Sequence, residues 1–491
     1  MIGRLVRAIA AAGATWSSAM FGSANQSAYW ATDPGRDILN HLARIAGAES
    51  ANELLNAHGS RLRSLSRQLV RNHPTAAALV EGSTAVNVGT GIDLVLDTGD
   101  ASVDERLQPW WEIARDNAGV HGESLFELQI QAWREKVVVG GCPWRLVTLS
   151  DRLHDGLLPS AILPLDEDWF DDRTGEASTD GVTICAGVKL DRWGRMLGAW
   201  LRNPERFGVG EAEYIEADRL IYIFERRRPL QSRGEPEMAT ILETLYQEGQ
   251  LIAAELASAK NTASYSVFLT SPHGSAGLGG TKLDGSGKPK TDIPLGAVIR
   301  GMPGEQAQML SHTRPSQQIA PFSKFLKGRM AASNGLGQRW LDRDISDANY
   351  SSIRADGQDQ ERISAPKREW FGHRTAGAFL RHSLPWMAMK AGLSKVPPAR
   401  YRLLPDEPAY VDPLKDEQAS MLRITNGKST FEAEISRTGK DPRYVLRKLA
   451  EELKDPLLAR IFNANLNADA SAPPVDPATD PATATPQKKT A

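Results

Sequence analysis

Apolar residues recur at helical spacing over about residues 36 to 86, and this periodicity predicts amphipathic helices there. Within the segment, Arg63, Arg67 and Arg71 are four residues apart and therefore share one helix face. Such a stripe is most often a solvated face. The alternative is a contact with a neighbouring subunit or with nucleic acid.

Strand-like patterns follow the first helices. Residues 86–96 change to a β-like run punctuated by glycines, whereas residues 122–136 predict another helix. A β-rich region is expected from about 158 to 224. Within it, residues 191–195 predict a turn, and residues 220–224 form an apolar run typical of a buried strand.

A long helix is predicted from Glu237 to Ser264, where alanines beside the apolar stripe permit close approach of another helix. Residues 271–292 are rich in Gly, Ser and Lys and predict a flexible loop. A second helix is expected at 316–333. Helical sequence resumes over 350–380, where Pro366 predicts a kink or break.

Two helix-start signals mark the last third of the chain. Ser429-x-x-Glu432 has the spacing of a capping box, and Asp441-Pro442 places an N-cap before a proline at the first helical position. From about Asn467 the chain is mainly Ala, Pro, Thr and Asp, a composition that predicts disorder.

Composition and charge narrow the classes of function. Hydrophobic residues make up 41% and charged residues 24%, as in soluble globular proteins, and the net charge is −2. A protein that grips DNA usually has a basic excess, so tight static DNA binding is disfavoured, but a channel that lets DNA slide is compatible. Cys142 and Cys185 lack metal spacing and predict reduced thiols. No apolar run approaches the roughly 18 residues of a membrane span, so no membrane partner is expected.

The familiar catalytic motifs are missing from the sequence. Gly427-Lys428-Ser429 ends like a phosphate-binding loop, but Leu422 stands where the first glycine is required. The nine histidines are scattered, and HExxH and GxSxG do not occur. No catalytic residue, metal or cofactor is therefore predicted.

Three carboxylates, Asp342, Asp344 and Asp347, lie within six residues and could bind a cation. Their loop lacks the central glycine and the closing glutamate of a calcium loop. Loop capping and solvation therefore explain the cluster better.

Several segments, taken in order, resemble the lambda family of tailed-phage portal proteins and together cover about residues 60 to 450. They are Arg67–Pro74 with Asn87–Ile92, the R-P-x-Q-x-R-G-x-P segment Arg228–Pro236, the signature loop Asp342–Arg354 with Asn349-Tyr350-Ser351-Ser352-x-Arg354, and the pair Asp412–Asp416 and Gly439–Asp441. The chain departs from the family at residues 335–340, where a "G-V-P" is frequent in relatives.

The resemblance implies an α+β portal fold with a β-rich and helical wing, a two-helix stem, a small clip and a helical crown. Order and length suggest the following division: 1–35 flexible N-terminal segment, 36–235 wing, 236–266 first stem helix, 267–314 clip, 315–334 second stem helix, 335–350 tunnel loop, 351–400 wing return helix, 401–465 crown and 466–491 disordered tail.

The resemblance also implies a homododecameric ring at one capsid vertex, the conduit for packaging and ejection of double-stranded DNA. Expected partners are the large terminase subunit, a head-completion or connector protein, and the major capsid and scaffold proteins. The protein would reside in the virion and in the host cytoplasm during assembly.

Site residues follow from this assignment. Glu243, Glu248 and Glu255 would form a weakly repelling channel wall, with an exposed helix face as the alternative, and Arg339 and Arg343 would touch DNA phosphates transiently. Clip candidates are Lys282, Lys288 and Lys290, and the signature residues are Asp344, Asn349, Tyr350, Ser351, Ser352 and Arg354. Asn349, Tyr350 and Arg354 are expected to lock the loop onto its helix.

Two other classes remain open at this point. One is a metal-dependent nuclease or protease that uses Asp342, Asp344 and Asp347. The other is a monomeric capsid-assembly scaffold or adaptor, which would form no ring and would leave the small residues of the long helix unexplained.

Overall fold

Two units divide the chain in the computed structural model, Met1–Leu403 and Leu404–Ala491. The structure describes residues 50–171, 181–202, 211–263, 267–270, 282–283, 289–290, 306–309, 319–344, 346, 348–405, 413–456 and 460. The predicted N-terminal segment 1–35, the predicted tail 466–491 and most of the predicted clip lie outside the described residues.

Four helices open the described part of the first unit. They are α1 (Ala51–Asn72), α2 (Pro74–Asn87), α3 (Ala101–Asp116) and α4 (Leu125–Val139). Capping boxes begin α1 at Ser50 and α4 at Ser124. In each, the serine hydroxyl accepts a hydrogen bond from the backbone N–H of the glutamate three residues later, and the carboxylate of that glutamate accepts one from the backbone N–H of the serine. The helix predicted at 122–136 is confirmed with a shift of three residues.

β1 (Asp93–Leu96) lies between α2 and α3, whereas the strands of two antiparallel sheets follow α4. These strands are β2 (Gly141–Thr148), β3 (Ser160–Pro164), β4 (Thr183–Cys185), β5 (Val188–Leu190), β6 (Met196–Arg202), β7 (Ala212–Glu216) and β8 (Leu220–Phe224). β2 lies between β3 and β8, and β4 to β7 form a four-stranded meander. The predicted turn at 191–195 joins β5 to β6, and all five residues of β8 are buried, as predicted.

The second half of this unit is mainly helical. It contains α5 (Leu242–Ala263), β9 (Val267–Thr270), β10 (Lys282–Leu283), β11 (Pro289–Lys290), β12 (Gln306–Met309), α6 (Ile319–Ser333), α7 (Gln338–Asp342), α8 (Tyr350–Arg374), α9 (Ala376–Lys390) and β13 (Tyr401–Leu404). β13 pairs with β1, while β9 and β12 pair antiparallel and bring the two ends of the intervening segment together. The mixture of helices and strands confirms the predicted α+β class.

Two clusters form the core of the first unit. The larger one joins α1 to α4, β1, the three-stranded sheet, the start of α5, and α8 and α9, with Trp111, Trp133 and Phe371 fully buried. The smaller one lies under the β4–β7 meander, where Phe170 and Tyr222 contact each other. Burial of these large apolar side chains supplies most of the driving force for folding.

The second unit contains three described helices, α10 (Pro413–Thr425), α11 (Phe431–Arg437) and α12 (Pro442–Glu452). The Asp441 side chain caps α12, and Pro442 occupies its first turn, as predicted. The predicted capping box at Ser429 is wrong by one residue, because Thr430 is the N-cap of α11 and accepts from Ala433 N–H.

Two predictions about helices in the first unit are wrong. The chain remains helical through Pro366, and the break falls at Thr375, between α8 and α9. A proline removes one hydrogen bond, which a long packed helix tolerates. The interpretation of the α1 arginine stripe as a solvated face is wrong for Arg63 and Arg67, which both pair with Asp168, whereas Arg71 is exposed. Their partner is distant in sequence and belongs to the same chain.

Candidate functional site

The R-P-x-Q-x-R-G-x-P segment holds the sheet to the loop that follows β3. Arg233 donates from Nε to the Glu167 carboxylate at 3.0 Å and from Nη2 to the Glu167 backbone carbonyl at 2.8 Å. Tyr222 Oη also donates to Glu167, at 2.9 Å, and all three side chains are buried. Burial raises the pKa of Glu167, while the Arg233 guanidinium opposes that rise. The motif therefore builds a buried ion pair.

The glycine of the same motif is required by a close approach of two backbones. A Cβ on Gly234 would lie 1.9 Å from the carbonyl oxygen of Gly140. Gly140 itself ends α4 with a φ of 101°, a left-handed conformation that favours glycine. The motif thus fixes the end of α4 against the chain that leads to α5.

The signature loop is tied to the start of α8. Asn349 is its N-cap and accepts from Ser352 N–H at 2.8 Å, while Ser352 Oγ accepts from Asn349 N–H at 3.1 Å. Arg354 donates to Tyr350 Oη at 3.3 Å, one turn along the helix. Ser351 occupies the first turn of α8. These bonds are local, so they set the direction in which α8 leaves the loop.

The aspartates of the loop are bonded to neighbouring helices. Asp342 lies 3.3 Å from Lys327 Nζ, and Asp344 lies 3.3 Å from Lys324 Nζ, both on α6. Hydrogen bonds from Ser346, together with the charge and hydrogen bond of Lys324, lower the pKa of Asp344 to about 2. Asp347 lies outside the described residues. Among those that are described, no group of three or more metal-ligating side chains occurs.

The two arginines proposed for DNA contact differ in their surroundings. Arg339 donates to Ser352 Oγ at 3.1 Å and lies 3.1 Å from the Asp356 carboxylate, so it fastens α7 to α8. Arg343 is exposed and ends α7 in the left-handed conformation, with a φ of 53°. Arg343 is therefore the more exposed of the two, while the half-buried Arg339 is held by α8.

The glutamates proposed for the channel wall are largely buried in the structure. Glu248 is 0% exposed, and its Oε1 accepts from Ser323 Oγ of α6 at 3.2 Å, while its Oε2 is buried without a hydrogen-bond partner. Glu255 is also buried, and Glu243 is half-buried and accepts from Gln247. The alternative of an exposed helix face is therefore wrong for Glu248 and Glu255, whereas the channel wall stays a prediction.

Apolar side chains occupy the exposed surface of α5 and α6 instead. Within the first unit, this apolar stem face is made of Tyr246, Ile252, Leu256, Phe322 and Phe325. The alanines Ala253, Ala254 and Ala257 beside it are exposed as well. A contiguous apolar surface with small residues is the kind of surface that proteins bury against another chain.

The clip candidates lie in a segment that is described only in part. Lys282 and Lys290 are paired positions in the antiparallel register of β10 and β11. Lys288 lies outside the described residues. None of the described helices is both long and apolar enough to cross a membrane.

Comparison with known proteins decides the family. The model of phage portal proteins of the lambda family matches residues 41–365, which is more than half of the chain. The chain belongs to the lambda family of phage portal proteins. A probable portal protein of Halomonas phage phiHAP-1 is 26% identical to it over 326 residues, and this alignment spans 60% of each chain. The family resemblance expected from the signature loop is thereby confirmed.

Solved structures give more distant likenesses to this portal protein. A chain of the virion of a native gene transfer agent particle has a TM-score of 0.46 at 14% identity, covering 79% of this chain and 92% of the other. An HK97 family phage portal protein from Corynebacterium diphtheriae has a TM-score of 0.32 at 10% identity, with 60% and 83% covered.

Sequence reasoning missed three features that the structure places in view. The buried pair of Arg233 and Glu167 joins residues 66 positions apart, and the apolar stem face looks like an ordinary core stripe in the sequence. The third is a group of arginines in a cleft of the first unit. Of this group, Arg226 alone lies in a run of basic residues, Arg226-Arg227-Arg228.

Proposed function

We propose that this portal protein assembles into a closed ring, expected to contain twelve copies, at one vertex of a phage capsid. Double-stranded DNA would pass through the ring during packaging and ejection. Membership of the portal family supports the proposal, and the observation that carries it in this chain is the exposed apolar stem face. A heterologous contact of one face with a different face of the next copy generates a ring when the rotation closes.

The burial of Glu248 and Glu255 strengthens this interpretation. A solvated monomeric helix keeps its glutamates in water and its apolar residues inside. On α5 the arrangement beyond Leu245 is reversed, because Ile252 and Leu256 are exposed while Glu248 and Glu255 are buried. The reversal is explained if the apolar side of α5 and α6 packs against a neighbouring copy.

The DNA contact is proposed for the signature loop rather than for the α5 glutamates. Arg343 is exposed near the end of α7 and can meet a phosphate, whereas Arg339 is engaged with Asp356. A net charge of −2 fits transient contact, since tight phosphate neutralisation would retard DNA. The segment between β9 and β12, with Lys282, Lys288 and Lys290, is proposed to form the clip that docks the large terminase subunit.

The remaining assignments follow from the same role. The portal protein is proposed to be a structural component without enzymatic activity. It would contact a head-completion or connector protein, the major capsid protein and the scaffold, first in the host cytoplasm and then in the virion. A metal-dependent nuclease using Asp342 and Asp344 is disfavoured, because lysines of α6 neutralise both carboxylates. A monomeric adaptor would leave the apolar stem face exposed to water, with no partner to bury it.

Ring assembly is tested by negative-stain imaging and light scattering of the purified protein. A ring with a central hole and a mass near ~640 kDa, twelve copies of a 53.6 kDa chain, is expected. Leu256→Asp should break the ring, because it places a charge in the apolar stem face. Val396→Asp is the matched control, since both side chains are 54% exposed and Val396 lies in the loop between α9 and β13.

Two results would contradict the proposal. If the unmodified chain forms a monodisperse monomer at several salt concentrations, it does not assemble into a ring. If Leu256→Asp and Val396→Asp disrupt ring assembly equally, the apolar stem face is not the surface that holds the ring together. Cleavage of duplex DNA in the presence of Mn²⁺, lost in Asp344→Asn, would instead support the nuclease alternative.

A further inference from the structure

A cleft of about 1100 Å³ opens within the first unit, between the β-rich part and the two long helices α8 and α9. One wall is formed by the β5–β6 turn and the end of β8, and the other by residues 366–385. The portal assignments above do not use this cleft. Its lining contains the arginine group that sequence reasoning missed.

The lining of the cleft is strongly basic, although the chain as a whole is slightly acidic. It contains five basic residues and only two acidic ones, Asp218 and Glu225. Glu225 already pairs with Lys136 at 2.9 Å. The cleft therefore presents an excess of positive charge to whatever enters it.

Three of the arginines, Arg226, Arg374 and Arg381, form no ion pair with any described carboxylate. All three are exposed to the cleft, and they come from β8 or its end, α8 and α9 respectively. Burial lowers the pKa of Arg374, and the charges of Arg226 and Arg381 lower it further. Arg374 is therefore repelled by both Arg226 and Arg381, and an anion bound beside Arg374 would relieve that repulsion.

The rest of the lining is apolar and aromatic. Trp193, at the tip of the β5–β6 turn, is 73% exposed, and the Arg192 guanidinium lies 4.8 Å from its ring. Leu190, Met196 and Trp370 continue this surface into the cleft. An exposed tryptophan beside unpaired arginines combines the two residue types that most often anchor protein–protein contacts.

The size of the cleft limits which anionic partners can enter it. A volume of about 1100 Å³ equals that of a cube roughly 10 Å on a side, which is narrower than the major groove of DNA alone, about 12 Å wide, so a duplex cannot enter the cleft. An extended peptide is thin enough, and its alternating side chains could reach the arginines on one side and the apolar lining on the other. The mixed lining therefore favours a peptide over a bare phosphate.

We propose that this cleft binds an extended acidic segment of a partner protein, with its carboxylates on Arg226, Arg374 and Arg381 and an apolar side chain on Trp193. Arginine suits this role because its planar group binds carboxylates in a bidentate manner. The site requires only the first unit, so it stands independently of the ring.

The test is a fluorescence anisotropy titration of the full-length protein with a short fluorescein-labelled peptide that alternates glutamate with leucine. Binding that weakens with salt is expected, and the glutamine version of the peptide should not bind. Arg374→Gln and Arg381→Gln should each lower the affinity about tenfold, the loss typical of a charge-assisted hydrogen bond. Arg362→Gln is the matched control, because Arg362 is exposed on α8 outside the cleft. Circular dichroism and thermal melting verify that each variant is folded.

Each other outcome overturns the proposal in a distinct way. An equal loss in Arg362→Gln would show non-specific attraction to a basic surface. Binding of a short single-stranded oligonucleotide through Arg374 and Arg381, with no binding of the peptide, would assign the cleft to nucleic acid. Binding by the Leu256→Asp subunit but not by the assembled ring would show that a neighbouring copy covers the cleft. No binding of either probe would exclude an acidic ligand.

Discussion

Replacement of Arg233 by methionine tests whether the R-P-x-Q-x-R-G-x-P segment acts through its buried ion pair. Arg233 and Glu167 are 5% and 1% exposed, and the arginine also lies 4.6 Å from the Phe170 ring. Methionine fills most of the same volume but leaves the Glu167 carboxylate buried without its cation. Removing one partner of such a pair costs about 3–5 kcal/mol.

The loss of stability expected for Arg233→Met can be compared with that for a matched ion pair on the surface. Arg145 donates to both carboxylate oxygens of Glu213 at 2.9 Å, but Glu213 is exposed. Exposed pairs contribute about 0–1 kcal/mol. A unit of this size unfolds with an entropy of about 0.7–0.8 kcal/mol/K. Arg233→Met should therefore lower the melting temperature by about 4–7 °C, and Arg145→Met by about 1 °C or less.

Differential scanning fluorimetry of the three proteins at pH 7, under identical assembly conditions, measures these shifts. The double variant Arg233→Met with Glu167→Gln should recover at least about half of the loss, since no unpaired charge remains buried. If Arg233→Met shifts the melting temperature no more than Arg145→Met does, the ion-pair argument is refuted. An unrecovered loss in the double variant would mean that arginine packing, rather than its charge, holds the motif together.

Three further predictions concern other parts of the chain. Burial raises the pKa of Glu135 in the folded protein, and the charge of Asp166 raises it further. The free energy of unfolding therefore falls as the pH rises from 4.5 through this raised pKa. Glu135→Gln should melt above the parent at pH 7, and the difference should disappear below about pH 4.5. Asn349→Ala should cost about 1 kcal/mol and speed amide exchange in the first turn of α8, whereas Asn349→Ser should not. Glu434→Gln should speed exchange in α10 and α11 at pH 7, because Glu434 accepts from Arg423 at 2.9 and 2.7 Å.

Local patterns in the sequence predicted the elements well, and the structure shows why. β8 is an unbroken apolar run, and it is buried on both faces. The Asp191 turn and the Asp441 cap depend on bonds between residues close in sequence. Arg63 could not be read in the same way, because its partner Asp168 is 105 residues away. Charge spacing on a helix shows which side chains share a face, but it does not show what that face contacts.

The α5 helix shows the same limit where it matters most for function. Its apolar stripe predicted a helix correctly, but the pattern is identical whether the stripe meets the core of its own chain or the surface of another. Leu242 and Leu245, in the first turn of α5, are buried in the core of the same chain, while Ile252 and Leu256 remain exposed. The change along one helix separates the part that packs within the chain from the exposed part, which is the face proposed for ring assembly. If that proposal holds, the exposed part is apolar because burying carbon against a neighbouring copy stabilises a ring more than solvated glutamates would.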